Sequence, residues 1–215
     1  MPDKSVENAD ADKVDEALKL LAAGQLAQAK AILLDVASRC PDRYVYDYTE
    51  GGTRYIKFWA LQEFLAFCAT LKESGSQAEN VVWVRSAYPR AFYYLGYVSV
   101  EEGDIAGALR WLARGREVEP TNPRFLTEMG AASNKGGKPQ QAIEHYAAVL
   151  KMEPAPPPNI RAVAWRGIGY ALIELHRLDA VAEAYEESLK LDPDNDLAKS
   201  ELRHIRTLKA RSAET

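Results

Sequence analysis

Four groups of residues in this 215-residue chain have the types from which binding or catalytic chemistry is made. Lys135-Gly136-Gly137-Lys138 supplies glycines and cations for a phosphate loop, but the leading Gly is missing and Pro139 stands where a magnesium-holding Ser or Thr is needed. A turn between two helices accounts for it. Asp192, Asp194 and Asp196 begin like a calcium loop, yet Leu197 occupies the obligatory Gly position and Arg203 that of the bidentate Glu. His145, His176 and His204 are scattered, without a second His at helical spacing, and no G-x-S-x-G turn or Cys–His pairing is apparent. Pro154 to Pro158, PAPPP, has the composition of a polyproline ligand but reads more simply as a stiff spacer. No catalytic residue, cofactor or metal is expected.

The elements that carry these residues show an internal period. Gly96 and Gly130 are 34 residues apart, as are Pro120 and Pro154; Gly169 and Pro193 follow at 39, with the extra residues around Pro156, Pro157 and Pro158. One unit runs Phe92, Leu95, Gly96, Ala108, Leu112, Pro120. The next runs Leu126, Met129, Gly130, Ala142, Tyr146, Pro154, and the third Trp165, Ile168, Gly169, Val181, Tyr185, Pro193. Within the first, Gly103-Asp104 breaks a helix, Ile105, Ala108, Leu109, Leu112 and Val118 form an apolar stripe at helical spacing, and Pro120 ends it. One such hairpin cannot bury its apolar face, so neighbours must stack.

This pattern resembles the tetratricopeptide repeat, a 34-residue helix–turn–helix unit. The departures are Leu126 for the early aromatic, Val181 for the small residue and His176 for the turn Gly. The resemblance implies an all-α solenoid of helical hairpins, a right-handed superhelix, whose first helices line a concave groove. At the family's ligand-facing positions the chain carries Arg90, Tyr93 and Tyr97, then Arg124 and Asn134, then Arg166 and Tyr170. Tyr and Arg are enriched at binding hot spots. Packing of Tyr93, Tyr94 and Tyr97 against the segment before them is the weaker alternative to partner binding. The arginines suit an acidic or carboxylate-ended ligand, since their forks match carboxylates. The two-carboxylate clamp by which some family members grip chaperone tails is not matched: Tyr93, Tyr97, Glu128, Val163 and Gly167 stand at its positions.

The rest of the chain is less regular. Residues 1–9 are expected as a flexible tail and 10–41 as a degenerate first repeat, with Gly24, Ala29, Leu33 and Pro41 in register. Residues 42–88 are expected as an insertion. Alternating Tyr44, Tyr46 and Tyr48, then Gly51-Gly52, then Arg54 to Phe58 indicate a β-hairpin over 44–58, followed by a helix over 60–72. The run 81–84, Val-Val-Trp-Val, suits a third strand on propensity, with a second repeat helix as the alternative. Three repeats then occupy 89–122, 123–156 and 162–195, and 196–215 forms a cap helix and tail with Leu197, Leu202, Ile205 and Leu208 on one face.

Net charge is −4 with the two signs interspersed, so neither nucleic acid nor a membrane is an expected partner. The acidic opening, MPDKSVENADADKVDEA, is not a secretory signal, and no apolar run has the length of a membrane span. Cys40 and Cys68 lack metal-ligand spacing, which fits buried thiols in a reducing cytoplasm. The expectation is a non-enzymatic module that binds a protein or peptide in its groove. Two other roles stay open: self-association or strand pairing through the β insertion, giving a homo-oligomer, and a regulatory or inhibitory subunit of a separate enzyme.

Overall fold

The computed structural model describes residues 4–73 and 80–213. In chain order its elements are α1 (Lys4–Ala22), α2 (Leu26–Ser38), β1 (Asp47–Glu50), β2 (Thr53–Phe58), α3 (Leu61–Glu73), β3 (Asn80–Arg85) and α4 (Tyr88–Glu101). Then come α5 (Ile105–Val118), α6 (Pro123–Lys135), α7 (Pro139–Leu150), α8 (Pro158–Glu174), α9 (Leu178–Leu191) and α10 (Asp196–Ala213). The chain is all-α apart from one small inserted sheet. No helix among the described residues is long and apolar enough to cross a membrane. Two compact units divide it: unit 1 holds 1–98 with 113–120, and unit 2 holds 99–112 with 121–215.

In unit 1, α1 and α2 form a hairpin across Gly24, whose φ of 74° is the left-handed conformation that Gly adopts without a Cβ clash. Val14, Ala17, Leu33 and Val36 are buried. The sheet has the order β1-β2-β3. β1 pairs antiparallel with β2 across Gly51-Gly52, and β2 pairs parallel with β3, with α3 as the connection a parallel pair requires. One sheet face is aromatic: Phe58 lies 6.1 Å from Phe64 and 5.5 Å from Phe67, while Phe64 stacks on Trp83 at 6.4 Å. Val81–Val84 therefore lie in a strand, not in a second repeat helix. The hairpin proper starts at Asp47; Tyr44, before it, donates to Glu7 Oε1 at 2.8 Å.

The start of the chain departs from the expected tail: residues 4–9 are helical, continuous with α1. Composition alone offers this polar, acidic segment no reason to order. Tertiary contact does. Glu7 is 2% exposed and its Oε2 accepts from Lys57 Nζ at 2.6 Å; Asp10, also 2% exposed, accepts from Arg39 Nη2 at 2.7 Å.

In unit 2 the core collects Ala142, Tyr146, Val149, Ala164, Ile168, Val181, Tyr185, Leu202 and Ile205, the positions that repeat in the sequence together with the inner face of α10. A Cβ on Gly130 would meet the Tyr146 ring at 2.6 Å, and one on Gly167 would meet it at 2.2 Å, so these glycines let α6 and α8 close on one tyrosine. Pro123, Pro139 and Pro158 each open a helix, where a missing N–H costs nothing. Pro158 thus belongs to α8 and not to the spacer. In α10 the buried series is Ala198, Leu202 and Ile205, while Leu197, expected on that inner face, is 62% exposed. The i, i+4, i+7 series beginning at Ala198 wins, and Leu197 falls beside it.

Candidate functional site

One apolar exposure among the described residues of unit 2 follows from how α8 is built. Val163, Arg166, Gly167, Tyr170 and Ile173 recur at helical spacing along one face, opposite the buried Ala164, Ile168 and Leu172. This face borders a groove of about 620 Å³, with Ala131 and Asn134 of α6 on one side and Leu197 and Glu201 of α10 on another. The buried Tyr146 of α7 and Tyr185 of α9 also line it. Val163 is 39% exposed and Tyr170 48%, which with Leu197 gives three large apolar side chains facing one concavity. Isolated exposed apolar residues are ordinary on protein surfaces, but a group lining a groove marks an interaction site.

The polar groups of the groove are largely committed. Arg166 Nη1 donates to Asp192 Oδ2 at 3.0 Å and to Ser188 Oγ at 3.2 Å, so its charge is neutralised. Asn195 Nδ2 donates to the same Asp192 oxygen at 3.0 Å. Asn134 Nδ2 donates to the Gly167 carbonyl at 3.1 Å, tying α6 to α8. Burial pushes the Tyr185 phenol up to about 12, so it stays a neutral donor and acceptor. Glu201 has no ion pair or hydrogen bond among the described residues.

Of the residues expected at a ligand-facing surface, Asn134, Arg166 and Tyr170 meet in this groove. Arg124 does not line it; it is half-buried, with its backbone N–H capped by Asn122 Oδ1 at 3.1 Å. In unit 1, Arg90 is not a surface cation. It is 6% exposed, forms an ion pair with Asp15 of α1, and donates from Nη1 to the Ser86 carbonyl at 3.4 Å, so the fold buries the guanidinium beside that carboxylate. Tyr93 stands edge-on to Trp59 of the insertion, ring centroids 5.2 Å apart, and to Tyr94 at 5.1 Å. Tyr97 is 44% exposed. Sequence reasoning missed Leu197 and Glu201, four residues apart on α10; the core series from Ala198 is the signal that places Leu197 outside. Among the described residues no group of three or more His, Cys, Asp or Glu is arranged to hold a metal ion.

Residues 162–195, which take in most of α8 and all of α9, match the sequence profile of the tetratricopeptide repeat. That stretch is a tetratricopeptide repeat. Among relatives, the small glutamine-rich tetratricopeptide repeat-containing protein 2 of Mycosarcoma maydis is 24% identical over 107 residues, 50% of this chain. The chain spans only 29% of that relative's length. Among solved structures, a double mutant of MamA from RS-1 superposes with a TM-score of 0.60 at 17% identity, covering 94% of this chain and 85% of the other. The first tetratricopeptide domain of Spaghetti (RPAP3), solved with an HSP90 peptide, superposes with a TM-score of 0.51 at 23% identity, over 57% of this chain and 95% of that one. At these identities the likeness is one of tetratricopeptide fold.

Proposed function

We propose that this tetratricopeptide-repeat chain is a non-catalytic adaptor that captures an extended or helical segment of another protein in the groove of unit 2. The observation that carries the reading is the convergence of exposed Val163, Tyr170 and Leu197 on one concavity. Folding leaves these side chains in water, and a partner's apolar side chains would remove them from it, at about 25 cal/mol per Å² of apolar surface. Tyr170 is the best anchor of the set, combining a large apolar ring with a hydroxyl that tolerates water or a hydrogen bond. A groove of about 620 Å³ takes a few side chains of a segment, not a folded domain. The peptide-bound RPAP3 domain supports a segment as the kind of ligand such repeats accept. The lack of the two-carboxylate clamp's residue types at Tyr93, Tyr97, Glu128, Val163 and Gly167 speaks against a chaperone tail as the ligand here.

The test is affinity capture from native lysate with wild type beside a Val163→Asp/Tyr170→Ala variant. Both positions are exposed, so the variant should melt like wild type. A partner that wild type retains and the variant loses supports the groove. A partner that both retain equally removes the groove as the binding surface.

A further inference from the structure

The charge of the groove says more than its shape, and it points away from the acidic ligand that its arginine suggests. Among the described residues that line the groove Arg166 is the cation, and its guanidinium is already spent on Asp192 at 3.0 Å and Ser188 at 3.2 Å, with a side chain only 18% exposed. An incoming carboxylate would have to displace Asp192, which Asn195 also holds at 3.0 Å. Glu201 is in the opposite position. It lines the same groove and is only partly exposed, yet none of the described cations reaches it. The groove's uncompensated charge is therefore negative, set among Val163, Tyr170 and Leu197. Leu197 and Glu201 are one helical turn apart on α10, so apolar contact and charge lie side by side.

We infer that the occupant of this groove is a partner segment bearing apolar side chains and a lysine or arginine that pairs with Glu201. The inference rests on the groove being the binding site. The apolar side chains cover Val163, Tyr170 and Leu197, and the cation then meets Glu201 as water leaves, which strengthens a charge-assisted hydrogen bond. An acidic segment would set a like charge against Glu201 and gain no free cation in return.

A random peptide library displayed on phage and selected against the full chain, in parallel with Glu201→Lys and Val163→Asp/Tyr170→Ala variants, tests both levels. Wild type should enrich peptides in which apolar residues flank a Lys or Arg. Glu201→Lys should exchange that residue for Asp or Glu at the same place in the motif. Glu201→Gln should weaken the wild-type peptides about tenfold, the worth of one partly desolvated charged hydrogen bond. Enriched wild-type peptides with an acidic or uncharged residue at that place, or identical motifs from wild type and Glu201→Lys, overturn the inference while leaving the groove in place. The same pool emerging from wild type and from Val163→Asp/Tyr170→Ala overturns the groove itself, and the charge inference with it.

Discussion

Replacing Glu7 with Gln removes one partner of an ion pair that water barely reaches. The Lys57 and Glu7 side chains are 2% and 3% exposed, with Nζ 2.6 Å from Oε2. An exposed pair of this geometry contributes ~1 kcal/mol or less. Here the loss is set by what stays behind: the Lys57 ammonium keeps its desolvation cost without its counter-charge, and the Tyr44 ring, 4.0 Å from Nζ, substitutes only in part. Removing one partner of a buried pair costs about 3–5 kcal/mol. Gln keeps an acceptor for the Tyr44 hydroxyl, which places this variant near the lower end, about 3 kcal/mol. Urea unfolding followed by circular dichroism at pH 7 measures it. The deficit also has a pH signature. Burial holds the Lys57 pKa below the ordinary lysine value, against the opposing pull of Glu7. Between the depressed folded value and the unfolded one, the unfolded chain binds more protons, so stability rises as pH rises through that window. Without Glu7 the folded value drops further, the window widens downward, and the deficit relative to wild type shrinks from about pH 7 to pH 10. A deficit under about 1 kcal/mol at pH 7, or one that does not change with pH, would refute the reasoning. The double variant Glu7→Leu/Lys57→Met should recover most of the loss, because apolar packing of similar volume replaces a buried pair well.

Further outcomes follow from single positions. His176 sits at φ 56° where the other repeat turns have Gly24, Gly103 and Gly137, so His176→Gly should raise stability by about 0.5–1 kcal/mol in the same urea assay. Gly167→Ala would set a Cβ 2.2 Å from Tyr146 ring carbons; overpacking of this kind costs about 1–3 kcal/mol, and a lowered Tm should report it. Arg166→Ala breaks a partly exposed pair with Asp192 and should cost only ~1 kcal/mol of stability in the urea assay. Burial pushes the Cys40 thiol up to about 11, so at pH 8 it should react with iodoacetamide at least about tenfold more slowly in the folded chain than in urea.

The repeats were legible because their physics is local. A 34-residue return of Gly, a large apolar residue and Pro encodes helix, turn and helix without reference to anything distant, and the turn glycines and core positions of unit 2 lie where that return puts them. The hairpin was legible for the same reason, since Gly51-Gly52 between alternating aromatics is a local signal. Three other features depended on partners far away in sequence. Residues 4–9 look like a tail until Lys57, 50 residues on from Glu7, supplies a charge for α1 to bury. Arg90 looks like a surface cation until Asp15, 75 residues earlier, takes it into the interior. Arg166 is expected in the groove from its repeat position and Glu201 is not, and only their neighbours in the fold show an arginine neutralised by Asp192 beside a carboxylate without a described partner. Sequence by itself determined which stretches are helical and which faces are apolar, because periodicity is written in adjacent turns. Tertiary structure alone decided which charges remain unpaired, because a charge is satisfied by whatever the fold brings within hydrogen-bond reach, and spacing along the chain does not encode that distance.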